Sequence, residues 1–303
     1  MSIPGVGVVG VVSDNLRLRG SMTPIGRRAA THWARGLGLR RGGGTVLYTG
    51  QMYQLVPYLE GVAAAGHGRE TGLRRFGSAS VPASERATYE RVLVDIVMTL
   101  RSNAIDVGYL YDDDLYTGTL AHGAEVDEEA LRAQGTRTLE RFRKHEVRDV
   151  ITVDPHTTTM LGTVLPGLVE GFDVRVRSYL EALAEARPRV RTYLSAEIAI
   201  HDGCGFAGKA EGEPPRALLR GAGMTVREPD NDGTVAWCCG GPERVLQPDK
   251  VEATVRQRVE QLRELAPAAV TLCPVCLANL QRAAGGEMRF TDISHYLRVA
   301  YSG

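Results

Sequence analysis

The chain has 303 residues, 43% hydrophobic and 24% charged, the mix of a globular protein long enough for about two domains with sizeable cores. Its 36 basic and 36 acidic side chains cancel, which argues against nucleic acid or an anionic membrane as the main partner. No run approaches the roughly 18 apolar residues of a membrane-spanning helix, and the apolar start at Val6–Val12 lacks the basic flank and cleavage site of a secretory leader. A cytoplasmic place is therefore expected, with any membrane contact made through a partner subunit.

In chain order, residues 1–44 read as a Gly- and Arg-rich N-terminal extension with one helix around Pro24–Leu37. The GVGVVG at Gly5–Gly10 fits the dinucleotide pattern, but no full strand precedes it and Asp14 follows too soon to hold a ribose. A short buried strand is expected there instead. From Thr45 strands and helices alternate: TVLY at Thr45–Tyr48, a helix over Ser84–Arg101 with Ser84 as its N-cap, a strand at Asp106–Tyr111, a helix over Asp127–His145, and a strand at Asp149–Val153. Val174–Ala186 bridges to a second series. That series has strands at Glu197–His201 and Ala269–Leu272 and helices at Pro214–Arg220, Pro248–Leu265 and Asp292–Ala300. Such alternation predicts an α/β protein with parallel sheets covered by helices.

The two series look alike. DVITVDPHTTTML at Asp149–Leu161 matches AAVTLCPVCLANL at Ala268–Leu280; LYTGQMY at Leu47–Tyr53 matches IHDGCGF at Ile200–Phe206; LYTG at Leu115–Gly118 matches WCCG at Trp237–Gly240. The expectation is two Rossmann-like halves related by an approximate two-fold axis, residues 45–171 and 172–303. In this alignment Gln51, Tyr116, Thr117, Asp154 and Thr157 stand opposite Cys204, Cys238, Cys239, Cys273 and Cys276. The first set is expected to gather at the carboxyl edge of its sheet, with Tyr116 and His156 the best placed to touch a substrate or partner.

All five cysteines lie in the second half, an odd and clustered set that reads as a metal or redox site rather than a disulfide framework. Each piece of the motif is read as sitting where a strand ends and a loop or helix begins, and strand ends in a parallel sheet share one edge. Thiolates favour iron–sulfur clusters or zinc. Adjacent Cys238 and Cys239 reach one site only if the chain turns, which Gly240, Gly241 and Pro242 permit. Zinc and an ordinary cubane each take four ligands and leave one thiol over; a metal-free redox dithiol is the further alternative. Lys209 and Arg244 lie near enough in sequence to balance cluster charge or stand as solvated surface charges, and His156 and His201 flank the motif as ordinary polar loop residues or as hydrogen-bond partners of cluster sulfurs or substrate. His122 and His295 show no ligand spacing, and Asp112–Asp114 reads as an exposed acidic loop.

Cysteine, 33 residues, Cys-Cys-Gly, 32 residues, Cys-Pro-x-Cys resembles the cysteine-rich "CCG" domain. That domain occurs in heterodisulfide reductase and in iron–sulfur subunits of glycolate, lactate and anaerobic glycerol-3-phosphate oxidising enzymes. The resemblance covers about residues 45–300, since such proteins usually carry the domain twice. It implies that Cys204, Cys238, Cys239, Cys273 and Cys276 hold a [4Fe-4S] cluster of non-cubane type, their sulfurs converging within about 7 Å, with zinc the alternative metal. It implies an iron–sulfur subunit of a heterodisulfide-reductase-like complex, transferring electrons and reducing a small thiol–disulfide substrate where substrate reaches the cluster, or alternatively the electron-transfer subunit of a flavin-dependent glycolate, lactate or glycerol-3-phosphate dehydrogenase. One cluster is expected, because the first half lacks the cysteines. The chain has no ferredoxin-type cysteine run, so a ferredoxin-like iron–sulfur subunit or a flavoprotein subunit is the expected electron partner. A zinc-stabilised interaction protein is the remaining reading.

Overall fold

The computed structural model describes residues 6–21, 25–64, 81–119, 128–203, 213–229, 239–241 and 248–302. Chain contacts divide them into two units, Met1–Val94 with Val107–Arg177, and Asp95–Asp106 with Ser178–Gly303.

Each unit is built on a four-stranded sheet. The first contains β1 (Thr45–Tyr48), β2 (Gly108–Tyr109), β3 (Asp149–Thr152) and β4 (Arg175–Ser178); the second contains β5 (Glu197–His201), β6 (Thr225–Arg227), β7 (Ala268–Thr271) and β8 (Arg289–Asp292). The strand orders are β2-β1-β3-β4 and β6-β5-β7-β8, the same order in both. The central strands pair in parallel, β1 with β2 and β3, and β5 with β6 and β7. Both central pairs are apolar on both faces, as helix-covered parallel strands must be. Leu47, Ile151, Ile200 and Val270 are all completely buried, each such side chain contributing about 1.5–3 kcal/mol relative to exposure.

Register extends the likeness. Leu47 lies beside Ile151 in the first sheet and Ile200 beside Val270 in the second. These are the residues that the sequence alignment sets opposite each other. On the other side Val46 pairs with Gly108 and Ala199 with Arg227, again at matching positions.

The helices are set by ordinary signals. Glu128–Lys144 opens on Glu128 and Glu129 and closes on Arg141, Arg143 and Lys144, charges that suit the two ends of its dipole. Tyr179–Glu185 begins with a capping box, Ser178 and Glu181 each satisfying the other's backbone N–H. Pro274–Ala284 starts with proline and stops at Gly285, whose φ of 56° is left-handed.

Three expectations are corrected. The GVGVVG stretch does not supply a strand, because Val6–Arg19 is a helix. Its stop signal is Gly20, at φ 64°, whose N–H donates to the Leu16 carbonyl, and Arg137 donates to the carbonyls of Leu16 and Arg17. Ser84 is not an N-cap. The helix Ala83–Ser102 opens directly after Pro82, whose carbonyl accepts from the N–H of Glu85 and Arg86. Asp112–Asp114 is not an exposed loop, because Asp114 is fully buried and Asp113 is tied to Arg141, Lys144 and His145. Among the described residues no helix is long and apolar enough to cross a membrane.

Candidate metal centre

The carboxyl ends of β5 and β7 build the site. β7 ends at Thr271, and Cys273 then takes an extended conformation as N-cap of the helix Pro274–Ala284. Cys276 sits on the first turn of that helix, and both thiols are buried. Cys239 arrives on a separate segment and is also buried. The Sγ atoms of Cys239 and Cys276 and one ring nitrogen of His201 lie within 4.8 Å of one another. Cys276 is hydrogen-bonded to both Cys239 and Cys273; these bonds, then burial, push its thiol well above the usual range. Three thiols in so dry a place do not ionise together unless a cation compensates them. A metal with a taste for soft sulfur supplies that compensation. The residues present therefore fit a thiolate-bound metal or iron–sulfur group. Cys204 and Cys238, and likewise Lys209, Arg244 and His122, lie outside the described residues.

The Cys-Cys-Gly signature has a local cause. Gly240 has φ 72°, and a Cβ there would overlap Val251 Cγ1 on the helix Pro248–Leu265. At Gly241 a Cβ would come within 2.7 Å of Val275 Cγ1. The chain turns on these two glycines to bring Cys239 against the start of the helix that carries Cys276. Asn279 holds the turn, its Nδ2 donating to the Cys239 carbonyl at 3.1 Å while its Oδ1 accepts from Arg282.

Two further features border the thiols. Arg258 is completely buried and donates from Nε to Nδ1 of His201 at 3.1 Å. Asp202 accepts two bonds from Arg216, at 3.1 and 2.7 Å, and Arg216 also pairs with Glu228 at 2.8 Å. Sequence reasoning does not single out Asn279, Arg258 or Arg216. Asn279 offers a signal, a lone amide three residues beyond Cys276 in an apolar turn; Arg258 is lost among the charges of its helix.

The equivalent place in the first unit is closed by its own side chains. Asp154, the N-cap opposite Cys273, accepts from the N–H of His156 and Thr157 and from the Thr157 hydroxyl at 2.6 Å. Thr117 and Thr157 both lie within 3.4 Å of where a Gly50 Cβ would stand. Gln51 follows Gly50 and donates to the Asp114 carbonyl. Of the residues expected to gather at this edge, Thr117, Asp154 and Thr157 do so, with oxygen in place of sulfur, and Gln51 adjoins them through Gly50. Gly118, opposite Gly240, repeats the left-handed turn at φ 88°. Tyr116 is wholly buried, which corrects its expected role as a contact for substrate or partner.

Residues 198–281 match the family model described as CCG, a cysteine-rich domain. Over 231 residues the chain is 29% identical to an EtfAB:quinone oxidoreductase of Syntrophomonas wolfei, covering 70% of this chain and 31% of that one. It is 28% identical over 213 residues to a probable membrane-anchored ferredoxin of Chromohalobacter salexigens, covering 63% and 30%. Over 154 residues it is 27% identical to the probable iron–sulfur-binding oxidoreductase FadF of Bacillus subtilis, covering 48% and 21%. The chain spans less than a third of the length of these curated relatives. A solved structure of an aspartate racemase homologue from Pyrococcus horikoshii is 12% identical over 84% of this chain and 95% of that one, but its TM-score of 0.26 is too low to argue from. Residues 198–281 are thus similar to the CCG cysteine-rich domain, and the chain is similar to iron–sulfur oxidoreductases.

Proposed function

We propose that this chain is an iron–sulfur electron-transfer unit of an oxidoreductase complex, holding one [4Fe-4S] cluster through Cys204, Cys238, Cys239, Cys273 and Cys276. The observation that carries the proposal is the buried meeting of Cys239, Cys273 and Cys276 at one sheet edge, a convergence of soft ligands whose thiolates a bound cation would stabilise. When bound, the cluster supplies a one-electron relay. The protein's part is to keep its sulfurs dry, fix their spacing, and set the charge around them.

Two finer roles share this cluster. In the first, the chain belongs to a heterodisulfide-reductase-like complex and a small disulfide is reduced at the cluster. In the second, the cluster only passes electrons between a flavoprotein and a further iron–sulfur subunit. The names of the relatives, an EtfAB:quinone oxidoreductase and a ferredoxin, support the second. Either role is cytoplasmic, with membrane contact only through a partner.

Anaerobic purification with metal and sulfide analysis and EPR tests the proposal. About four irons with as much acid-labile sulfide per chain is expected for such a cluster. Zinc without sulfide would instead make the second unit a zinc-stabilised module. Re-oxidation of the reduced cluster by a small heterodisulfide, in the absence of any partner, then separates the first role from the second.

A further inference from the structure

We propose that His201 is a hydrogen-bond donor to the cluster, its Nε2–H bonding a cluster sulfur, and that Arg258 is the positioning residue that fixes the ring in the tautomer this requires. The proposal rests on the iron–sulfur reading above. His201 ends β5, is buried, and brings one ring nitrogen within 4.8 Å of the Sγ atoms of Cys239 and Cys276. Arg258 Nε lies 3.1 Å from Nδ1. A guanidinium carries only donors, so Nδ1 must offer its lone pair and the ring proton sits on Nε2. Nε2 is buried and has no hydrogen-bond partner among the described residues. A buried donor left unmade is costly, and where one persists it points to a partner that arrives with a ligand.

The same contact separates a donor from a metal ligand. A metal-bound histidine normally donates through its other nitrogen to a carboxylate or carbonyl. Here that nitrogen faces a guanidinium, which cannot accept. Ligation through Nε2 would leave the ring without a proton, whereas donation to an anionic sulfur needs no change at all. The first unit gives an internal comparison. Tyr48 stands opposite His201, and its hydroxyl is satisfied, donating to the Leu115 carbonyl at 2.8 Å and accepting from the Leu115 N–H at 3.1 Å. At this strand end, the unsatisfied donor belongs to the unit with the thiols. An N–H bond to sulfur, backed by the buried Arg258 charge, favours the reduced and more negative cluster and so raises its potential.

The test uses the full chain reconstituted anaerobically as wild type, His201→Gln and His201→Leu. It reads redox titration by EPR and exchangeable-proton ENDOR after transfer to deuterated buffer. The expected result is an exchangeable proton coupled to the cluster in wild type and lost in His201→Leu, whose midpoint potential moves to more negative values. His201→Gln, which keeps an N–H, recovers part of both. An iron-loaded His201→Leu with the wild-type potential and the same exchangeable coupling would overturn the proposal while leaving the cluster reading intact. If the leucine variant does not load iron, wild type labelled with 15N-histidine decides. A weakly coupled nitrogen supports donation; a directly bonded nitrogen, or none, refutes it. Wild type that takes up no iron overturns the cluster reading, and the proposal with it.

Discussion

Single residues carry the chemistry of both sheet edges, and two of them make sharp predictions. At Gly240 the left-handed φ and the overlap of any Cβ with Val251 leave glycine the sole fit. Gly240→Ala should destabilise the second unit by roughly 2–4 kcal/mol, read by chemical denaturation, and prevent iron loading. In the first unit burial raises the Asp114 carboxyl to about 7, although it accepts from Thr49 and from the N–H of Gly50. Its folded value lies above the unfolded one, so its contribution is full below about pH 4 and fades as pH rises through 7. On going from pH 5 to pH 8, wild type should lose roughly 2–3 kcal/mol relative to Asp114→Asn. A difference independent of pH would show that Asp114 ionises normally. At this scale the cysteines were legible because thiols are rare and their spacing is distinctive. Asp114 was not, since its burial depends on Thr49 and Gly50, distant in sequence.

At the scale of elements, the loop after β5 is clamped by charge. Arg216, on the helix Glu213–Gly221, forms a bidentate pair with the fully buried Asp202, two residues before Cys204. Arg216→Met should cost about 3–5 kcal/mol, because it leaves a buried carboxylate unpaired. Thermal melts should show the loss, and Arg216→Met, Asp202→Leu together should regain part of it. Central strands such as Thr45–Tyr48 and Asp149–Thr152 were readable from their apolar runs. The edge strands Arg175–Ser178, Thr225–Arg227 and Arg289–Asp292 were not, because their exposed sides carry arginine, threonine and glutamate-paired charges rather than an apolar pattern. The helix Val6–Arg19 was missed for the opposite reason. Its valines suggest a strand, and the feature that marks a helix is its stop at Gly20.

For the whole molecule, shared strand order and register support an internal duplication in which one copy keeps thiols and the other has filled its edge with oxygen side chains. Metal binding is then coupled to folding in one unit alone. Chelation should lower hydrogen-exchange protection at the ends of β5 and β7 and around Asn279, and leave β1 and β3 unchanged; equal loss in both sheets would contradict the assignment. The relatives are over three times the length of the aligned region. The central claim, that five thiols of the second unit hold one cluster, is tested most directly by Mössbauer spectroscopy of 57Fe-reconstituted protein in which each cysteine in turn is changed to serine. The account predicts that Cys204→Ser and Cys238→Ser alter or abolish the iron spectrum as Cys239→Ser, Cys273→Ser and Cys276→Ser do. A wild-type spectrum retained in any one of the five would contradict it.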